Sequence, residues 1–101
     1  KDREVVLTAV RKQGIALRWA DDELRRDRAV VKEALAQDGH AIHYAETFHG
    51  DRDMVLAAVM QDGMALYYAI PELKKDRDVV VAALSSNGRA ITFADTTFQK
   101  D

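Results

Sequence analysis

Residues 51–75 read DRDMVLAAVMQDGMALYYAIPELKK, and three related stretches make up nearly all the rest of the chain of 101 residues. The related segments begin at Asp2, Asp27 and Asp76, so the four starts lie 25, 24 and 25 residues apart. A period between about 20 and 50 residues is the signature of an array of stacked units. We therefore divide the chain into one repeat domain with units 2–26, 27–50, 51–75 and 76–100, and expect it to be a segment of a longer protein.

The first half of each unit predicts an α-helix with a marked start and end. Asp51 precedes the helical pattern, where a carboxylate can accept the free amide groups of the first turn. Apolar residues follow at positions 54, 55, 58 and 59, which lie on one stripe of a helix. A glycine then stands where a left-handed helix terminus would favour it. The four glycines in this column are Gly14, Gly39, Gly63 and Gly88.

The second half of each unit, for example residues 64–69, admits two structures. As a helix, it places two alanines one turn apart and allows close approach to the first helix. As a strand, it would alternate its side chains and give an α/β leucine-rich-repeat-like horseshoe, although the L-x-x-L-x-L signature of that fold is absent. Paired alanines favour a helix. We therefore predict an all-α, solenoid-like array of four helix–turn–helix repeats with about eight short helices.

Two further columns bear on the packing of the units. The aromatic column Trp19, Tyr44, Tyr68 and Phe93 is expected to run along the inside of the array as a ladder. The polar turn that closes each unit carries an apolar anchor at Leu24, Phe48, Leu73 or Phe98. Pro71 lies in this turn, where it can start a helical turn or stop the preceding helix. The second unit is one residue shorter, so we expect an irregularity at Thr47–Gly50.

The repeated pattern resembles the helical repeat family known as domain of unknown function 4116. The resemblance rests on the Asp-Arg pair, the Val-Val pair, the glycine, the Ala-Leu pair, the aromatic-Ala pair and the Glu-Leu turn, as in Glu23-Leu24 and Glu72-Leu73. It covers all four units and is closest in the first and third. The resemblance implies no activity. It implies that such arrays occur in bacteria and some protists, often inside larger proteins, including effector-like ones.

The composition excludes several classes of function. The net charge is −2 with both signs interleaved, so we expect no nucleic acid and no anionic membrane surface as a partner. No apolar run approaches the ~18 residues of a membrane span. The absence of cysteine removes disulfides and thiolate metal sites and is compatible with a reducing cytosol. We expect a cytoplasmic protein, or a secreted effector that acts in a host cytosol.

The histidines offer one candidate metal site. His40 and His43 are three residues apart and, with His49 or Glu46 nearby, could hold zinc at the surface. The same columns hold unrelated residues in the other units, which is typical of tolerant, partly exposed positions, so we expect no metal and no cofactor. The paired carboxylates near the helix starts recur in the units, whereas catalysis needs one singular site. We therefore predict no catalytic residues.

Function is expected in the columns that change between units. The candidate partner-binding residues are Arg18, His40, His43, Met60, Met64 and Tyr67. We expect a non-enzymatic protein-interaction or scaffolding module with an unidentified protein partner; the alternative is an accessory or spacer array within a larger bacterial enzyme or effector. Because stacked units leave apolar faces at both ends, end-to-end self-association is also expected.

The Asp-Arg pair raises a question of electrostatics. An arginine at the start of a helix faces the positive end of the helix dipole, yet Arg3, Arg28, Arg52 and Arg77 all stand there. Stacking offers an explanation, because equivalent columns of neighbouring units lie in adjacent rows. Arg3 is expected to reach sideways to Asp27, to another carboxylate of the next unit, or to carbonyls at a neighbouring helix end.

Overall fold

The computed structural model describes residues 2–99, and every regular element in that range is helical. The α-helices are α1 (Arg3–Lys12), α2 (Asp22–Arg25), α3 (Arg28–Gln37), α4 (Arg52–Gln61), α5 (Pro71–Lys74), α6 (Arg77–Ser86) and α7 (Thr96–Gln99). The 3₁₀ helices are η1 (Gly14–Trp19), η2 (Gly39–Tyr44), η3 (Glu46–Phe48), η4 (Gly63–Tyr68) and η5 (Gly88–Phe93). Asp101, at which a fifth unit would begin, lies outside the described residues.

The all-α class is confirmed, and the horseshoe alternative is wrong because residues 2–99 contain no strand. The number of helices differs from the prediction. Each described unit has three helical elements instead of two: a ten-residue α-helix, a six-residue 3₁₀ helix and a short closing helix. The predicted polar turn is helical because it carries its own start signal. Asp21 accepts a hydrogen bond from the Leu24 amide in the first unit, and Pro71 opens α5 in the third.

The closing turn of the second unit is the predicted irregularity. Residues 46–48 form a 3₁₀ helix there, whereas the other units close with an α-helical turn. The unit is one residue shorter at this point, and a 3₁₀ turn needs fewer residues than an α-turn. Phe48 still reaches the core as its anchor.

The long helices start as the sequence predicts. Asp27 caps α3, with its Oδ1 accepting hydrogen bonds from the amides of Ala29 at 3.0 Å and Val30 at 3.3 Å. Asp2, Asp51 and Asp76 cap α1, α4 and α6 in the same way. Four equivalent carboxylates therefore serve as helix caps in this fold.

Equivalent elements of consecutive units pack on one another. α1 contacts α3, α3 contacts α4 and α4 contacts α6, while η1, η2, η4 and η5 form a second row. The result is an elongated two-layer stack that measures 48 × 21 × 17 Å. Within residues 2–99, no helix is both long enough and apolar enough to cross a lipid bilayer.

The core lies between the layer of α-helices and the layer of 3₁₀ helices. The α-helices contribute the predicted apolar stripe. The 3₁₀ helices contribute a stripe with a period of three, because side chains at i and i+3 eclipse in that geometry. Gly39, Ile42 and Ala45 show this stripe in the second unit, and all three are buried.

The glycines do not form left-handed helix termini, so that prediction is wrong. No glycine in residues 2–99 has a positive φ. Asp38, with φ −156°, precedes Gly39 in an extended conformation and ends α3 by donating its amide to the Ala34 carbonyl. Gly39 is required instead by close packing, because a Cβ atom there would lie less than 3.0 Å from the carbonyl oxygen of Ala58 in the next unit. The equivalent pairs are Gly14 with Ala34 and Gly63 with Ala83.

Candidate partner-binding surface

A continuous row of rings and cations runs along the outer surface of the 3₁₀ layer. We call it the aromatic ladder, and its members are Arg18, Trp19, His43, Tyr44, Tyr67, Tyr68 and Phe93. In the first three units, a variable residue contacts the aromatic ring of the next unit. Arg18 lies 5.9 Å from the ring centre of Tyr44, the rings of His43 and Tyr68 are 4.7 Å apart, and those of Tyr67 and Phe93 are 5.2 Å apart.

The prediction that the aromatic column runs along the inside is wrong for Trp19, whereas the other three rings of the column pack against the core. Trp19 is 79% exposed, and Tyr44, Tyr68 and Phe93 are half-buried. The physical reason is the period of the 3₁₀ helix. In the first three units its buried stripe takes the glycine, the leucine or isoleucine, and the final alanine, which leaves the aromatic residue beside the stripe.

The exposed rings carry cations close to their faces. The guanidinium of Arg18 lies 4.7 Å from the ring centre of Trp19, and Lys74 Nζ lies 5.7 Å from that of Tyr67, which is 57% exposed. Such contacts are worth about 0.5–1 kcal/mol at exposed sites and hold the rings in place. Burial raises the pKa of the neighbouring Tyr68, so this phenol stays neutral at physiological pH. The ladder therefore presents ordered apolar faces next to positive charge.

A cleft of about 430 Å³ opens beside the ladder between the first and second units. Its lining residues carry both signs of charge, and they are Asp22, Arg25, Arg26, His43, Tyr44, Glu46 and Thr47. One wall is α2 and the other is η3, the shortened turn of the second unit. The sequence alone does not predict this cleft, although the second unit is one residue shorter at the turn that forms one of its walls.

A family model described as "Domain of unknown function (DUF4116)" matches residues 2–47 and 51–99. The chain belongs to the DUF4116 family. Each match spans two of the structural units, and the gap at residues 48–50 falls in the irregular turn of the second unit. No curated protein and no solved structure matches the chain. The family description attaches no activity to the DUF4116 chain.

The histidines of the DUF4116 chain take two different roles. His43 is a member of the ladder and His40 packs beside it, with the two rings 5.7 Å apart and the His40 ring 5.4 Å from that of Tyr68. His49 lies 6.1 Å from the ring of Tyr68 and also bonds to the backbone, because its Nε2 lies 2.7 Å from the carbonyl oxygen of Ile42. A carbonyl only accepts, so Nε2 carries the proton and donates. Residues 2–99 contain no group of three side chains placed to hold a metal ion.

The two candidate methionines lie in different layers of the third unit. Met60 is on α4 and is 68% exposed. Met64 is in η4 and packs half-buried against the hydrophobic core. The structure therefore brings Arg18, His40, His43 and Tyr67 together at the ladder, leaves Met60 on the other layer, and places Met64 between surface and core.

The carboxylates with lowered pKa values accept hydrogen bonds from backbone amides, from arginines of a neighbouring unit, or from a threonine hydroxyl. A hydrogen bond from Arg52 is the main reason that the pKa of Asp76 is lowered, and Arg3 and Arg28 do the same for Asp27 and Asp51. Hydrogen bonds from the Thr97 amide and hydroxyl lower the pKa of Asp95. These carboxylates stay ionised as caps and ion-pair acceptors.

Proposed function

We propose that the DUF4116 chain is a non-enzymatic protein-interaction or scaffolding module whose binding surface is the aromatic ladder. The observation that carries the proposal is that Trp19 and Tyr67 expose most of their rings at fixed positions in a continuous row. Ordered aromatic side chains and arginine are the groups that most often dominate the energy of protein interfaces. A soluble domain rarely exposes such a row without a partner to cover it.

The cleft beside the ladder adds a means of orienting the partner. Arg26 is exposed on one wall and Glu46 on the other, with His43 of the ladder between them in the lining. A polypeptide segment that carries an apolar side chain next to charges of both signs would fit this combination. Charged groups at the rim of an interface contribute to specificity and association rate more than to affinity.

A non-catalytic role is supported by how the titratable groups are used. The carboxylates with lowered pKa values are bound to amides, hydroxyls and arginines, and the repeated caps provide no singular acid–base pair. Catalytic groups are usually held with pKa values near the working pH in a cleft.

A peptide-display selection against the folded chain tests the proposal. Selected peptides should bind the unmodified chain and should lose about 30-fold or more in affinity to Trp19→Ala or Tyr67→Ala, because truncating an interface hot spot costs about 2 kcal/mol. Met60→Ala is the matched control, because Met60 is similarly exposed but lies on the opposite layer of the units. Binding that depends on Met60 and not on either ladder residue would contradict the proposal.

The alternative function is a spacer or accessory array within a larger protein. The uncovered faces of the first and fourth units favour it, because such faces suit the addition of further units. The two proposed functions make different predictions for substitutions in the ladder. A spacer predicts that substitutions at Trp19 and Tyr67 leave every interaction of the chain unchanged, provided that the fold is retained.

A further inference from the structure

Building on the proposed role of the ladder as a binding surface, we propose that its partner is an acidic, proline-rich segment in the polyproline II conformation. One proline packs against the aromatic ring of each unit, and acidic side chains between the prolines pair with the cations of the ladder. The rings concerned are Tyr44, Tyr68 and Phe93, each of which belongs to a unit with a preceding unit packed beside it.

The aromatic rings of successive units repeat at about the length of one polyproline II turn. Tyr44 and Tyr68 both contact His43, with ring centres 4.6 and 4.7 Å from that of the imidazole. Tyr68 and Phe93 both contact Tyr67, with ring centres 5.1 and 5.2 Å from its own. Neighbouring rings are therefore no farther apart than the sum of two such distances, and packed helices lie about 8–10 Å apart. A polyproline II helix advances about 9 Å in one turn of three residues.

Other peptide conformations repeat at different spacings. An extended strand presents side chains on one face about every 6.8 Å, and an α-helix completes a turn about every 5.4 Å. A polyproline II segment with proline at every third position places its prolines on one face at the spacing of the rings. Aromatic-lined surfaces bind proline-rich segments in this conformation, because the segment loses little entropy on binding.

The ladder supplies hydrogen-bond donors, and a polyproline II segment supplies acceptors. No hydrogen bond among residues 2–99 uses the phenol groups of Tyr44, Tyr67 or Tyr68. Burial raises the pKa of the Tyr68 phenol, so this group keeps the proton that it can donate. Because a polyproline II segment has no internal hydrogen bonds, its backbone carbonyls are available to accept from these donors.

The cations beside the rings select an acidic segment. The guanidinium of Arg18 lies 5.9 Å from the ring centre of Tyr44, and Lys74 Nζ lies 5.7 Å from that of Tyr67. Neither cation forms an ion pair within residues 2–99. Arg18 belongs to the first unit and Lys74 to the third, so the two charges lie at separate points along the ladder. Carboxylates between the prolines of a bound segment can pair with both.

Isothermal titration calorimetry with two short peptides of the same composition tests the proposal. The first peptide has proline at every third position, glutamate after each proline and alanine elsewhere. The second contains the same residues in an order that leaves no two prolines three positions apart. The first should bind the chain about fivefold or more tightly than the second, because only its prolines can cover successive rings together.

Three substitutions test whether the first peptide lies on the ladder. Tyr67→Ala should weaken its binding about tenfold or more, because Tyr67 is 57% exposed and contacts both Tyr68 and Phe93. Met60→Ala, on the opposite layer, should leave its binding unchanged. Lys74→Met should weaken its binding about threefold and should not affect a peptide with glutamine in place of glutamate.

Absence of binding by the first peptide, equal binding of the two peptides, or binding insensitive to Tyr67→Ala or Lys74→Met would overturn the proposal. The display selection distinguishes this failure from a failure of the ladder as a binding surface. Selected peptides that need Tyr67 but lack prolines three positions apart would keep the ladder as the binding surface and exclude the polyproline II partner. Selected peptides that bind independently of Trp19 and Tyr67 would contradict both proposals.

Discussion

Arg52 joins the third unit to the fourth by hydrogen bonding to Asp76, the aspartate that caps α6. Its Nε donates to Asp76 Oδ2 at 2.6 Å and its Nη2 to Asp76 Oδ1 at 3.3 Å. Asp76 also accepts hydrogen bonds from the amides of Asp78 and Val79 at the start of α6. The arginine that seems misplaced at the start of its own helix is thus neutralised by the next unit, as the sequence predicts for Arg3 and Asp27, which lie 2.9 Å apart.

Arg52→Ala should lower the melting temperature by about 4 °C, because it removes a bidentate contact and a second carboxylate contact across a junction. Arg25→Ala is the control, since within residues 2–99 Arg25 pairs only with Asp22 of its own short helix. Its melting temperature should stay within about 1 °C of the unmodified chain. Thermal unfolding followed by circular dichroism measures both, and equal losses would show that the junction pair has no special role.

Acidification should weaken the stack through the junction aspartates. The pKa values of Asp27, Asp51 and Asp76 are lowered in the folded chain, chiefly by the arginine hydrogen bonds. The unfolded chain therefore binds protons first, near pH 3.9, and stability is full above that pH and falls as the pH drops through the lowered pKa values. Melting temperatures measured from pH 7 down to pH 2 should show this loss.

The same titration separates the arginine contribution from that of the caps. In Arg52→Ala, Asp76 keeps its backbone hydrogen bonds but loses the main cause of its lowered pKa. The melting temperature of this variant should fall less steeply below pH 4 than that of the unmodified chain. An identical acid slope in the two proteins would mean that the arginine pairs do not control the acid sensitivity.

Trp19→Ala should cost little stability, because the ring is 79% exposed. The expected change in unfolding free energy is within about 0.5 kcal/mol, plus the small contribution of the Arg18 contact. Leu66→Ala should cost about 2–5 kcal/mol, because Leu66 is fully buried in the stripe of η4. Urea denaturation of both variants checks whether the ladder or the leucine stripe forms the interior; a costly Trp19→Ala would contradict the surface assignment.

The repeat period, the caps and the junction arginines could all be predicted from the sequence, because each depends on local chemistry that recurs in fixed columns. The 3₁₀ geometry could not. A sequence such as GMALYY fits an α-helical stripe equally well, and only packing between units selects the tighter helix, with Gly63 against Ala83. The error for Trp19 follows directly, since a period of three leaves the aromatic position beside the buried stripe.

The sequence predicts only part of the candidate partner-binding surface. Arg18, His43 and Tyr67 can be identified from their variability between units, because this variability depends only on the alignment of the units. Their stacking over the ring of the next unit depends on the offset between neighbouring 3₁₀ helices. Pairwise sequence columns contain no information about that offset.

The most direct test of the account compares two chemically identical substitutions, Gly63→Ala and Gly88→Ala, in urea denaturation of dilute protein. Gly63→Ala forces a Cβ into the Ala83 carbonyl, and the account predicts a loss of about 3 kcal/mol or more. Gly88→Ala places the same atom in open space and should change the unfolding free energy by less than about 0.5 kcal/mol. Similar losses at the two positions would contradict the claim that the units are joined by a glycine–carbonyl contact.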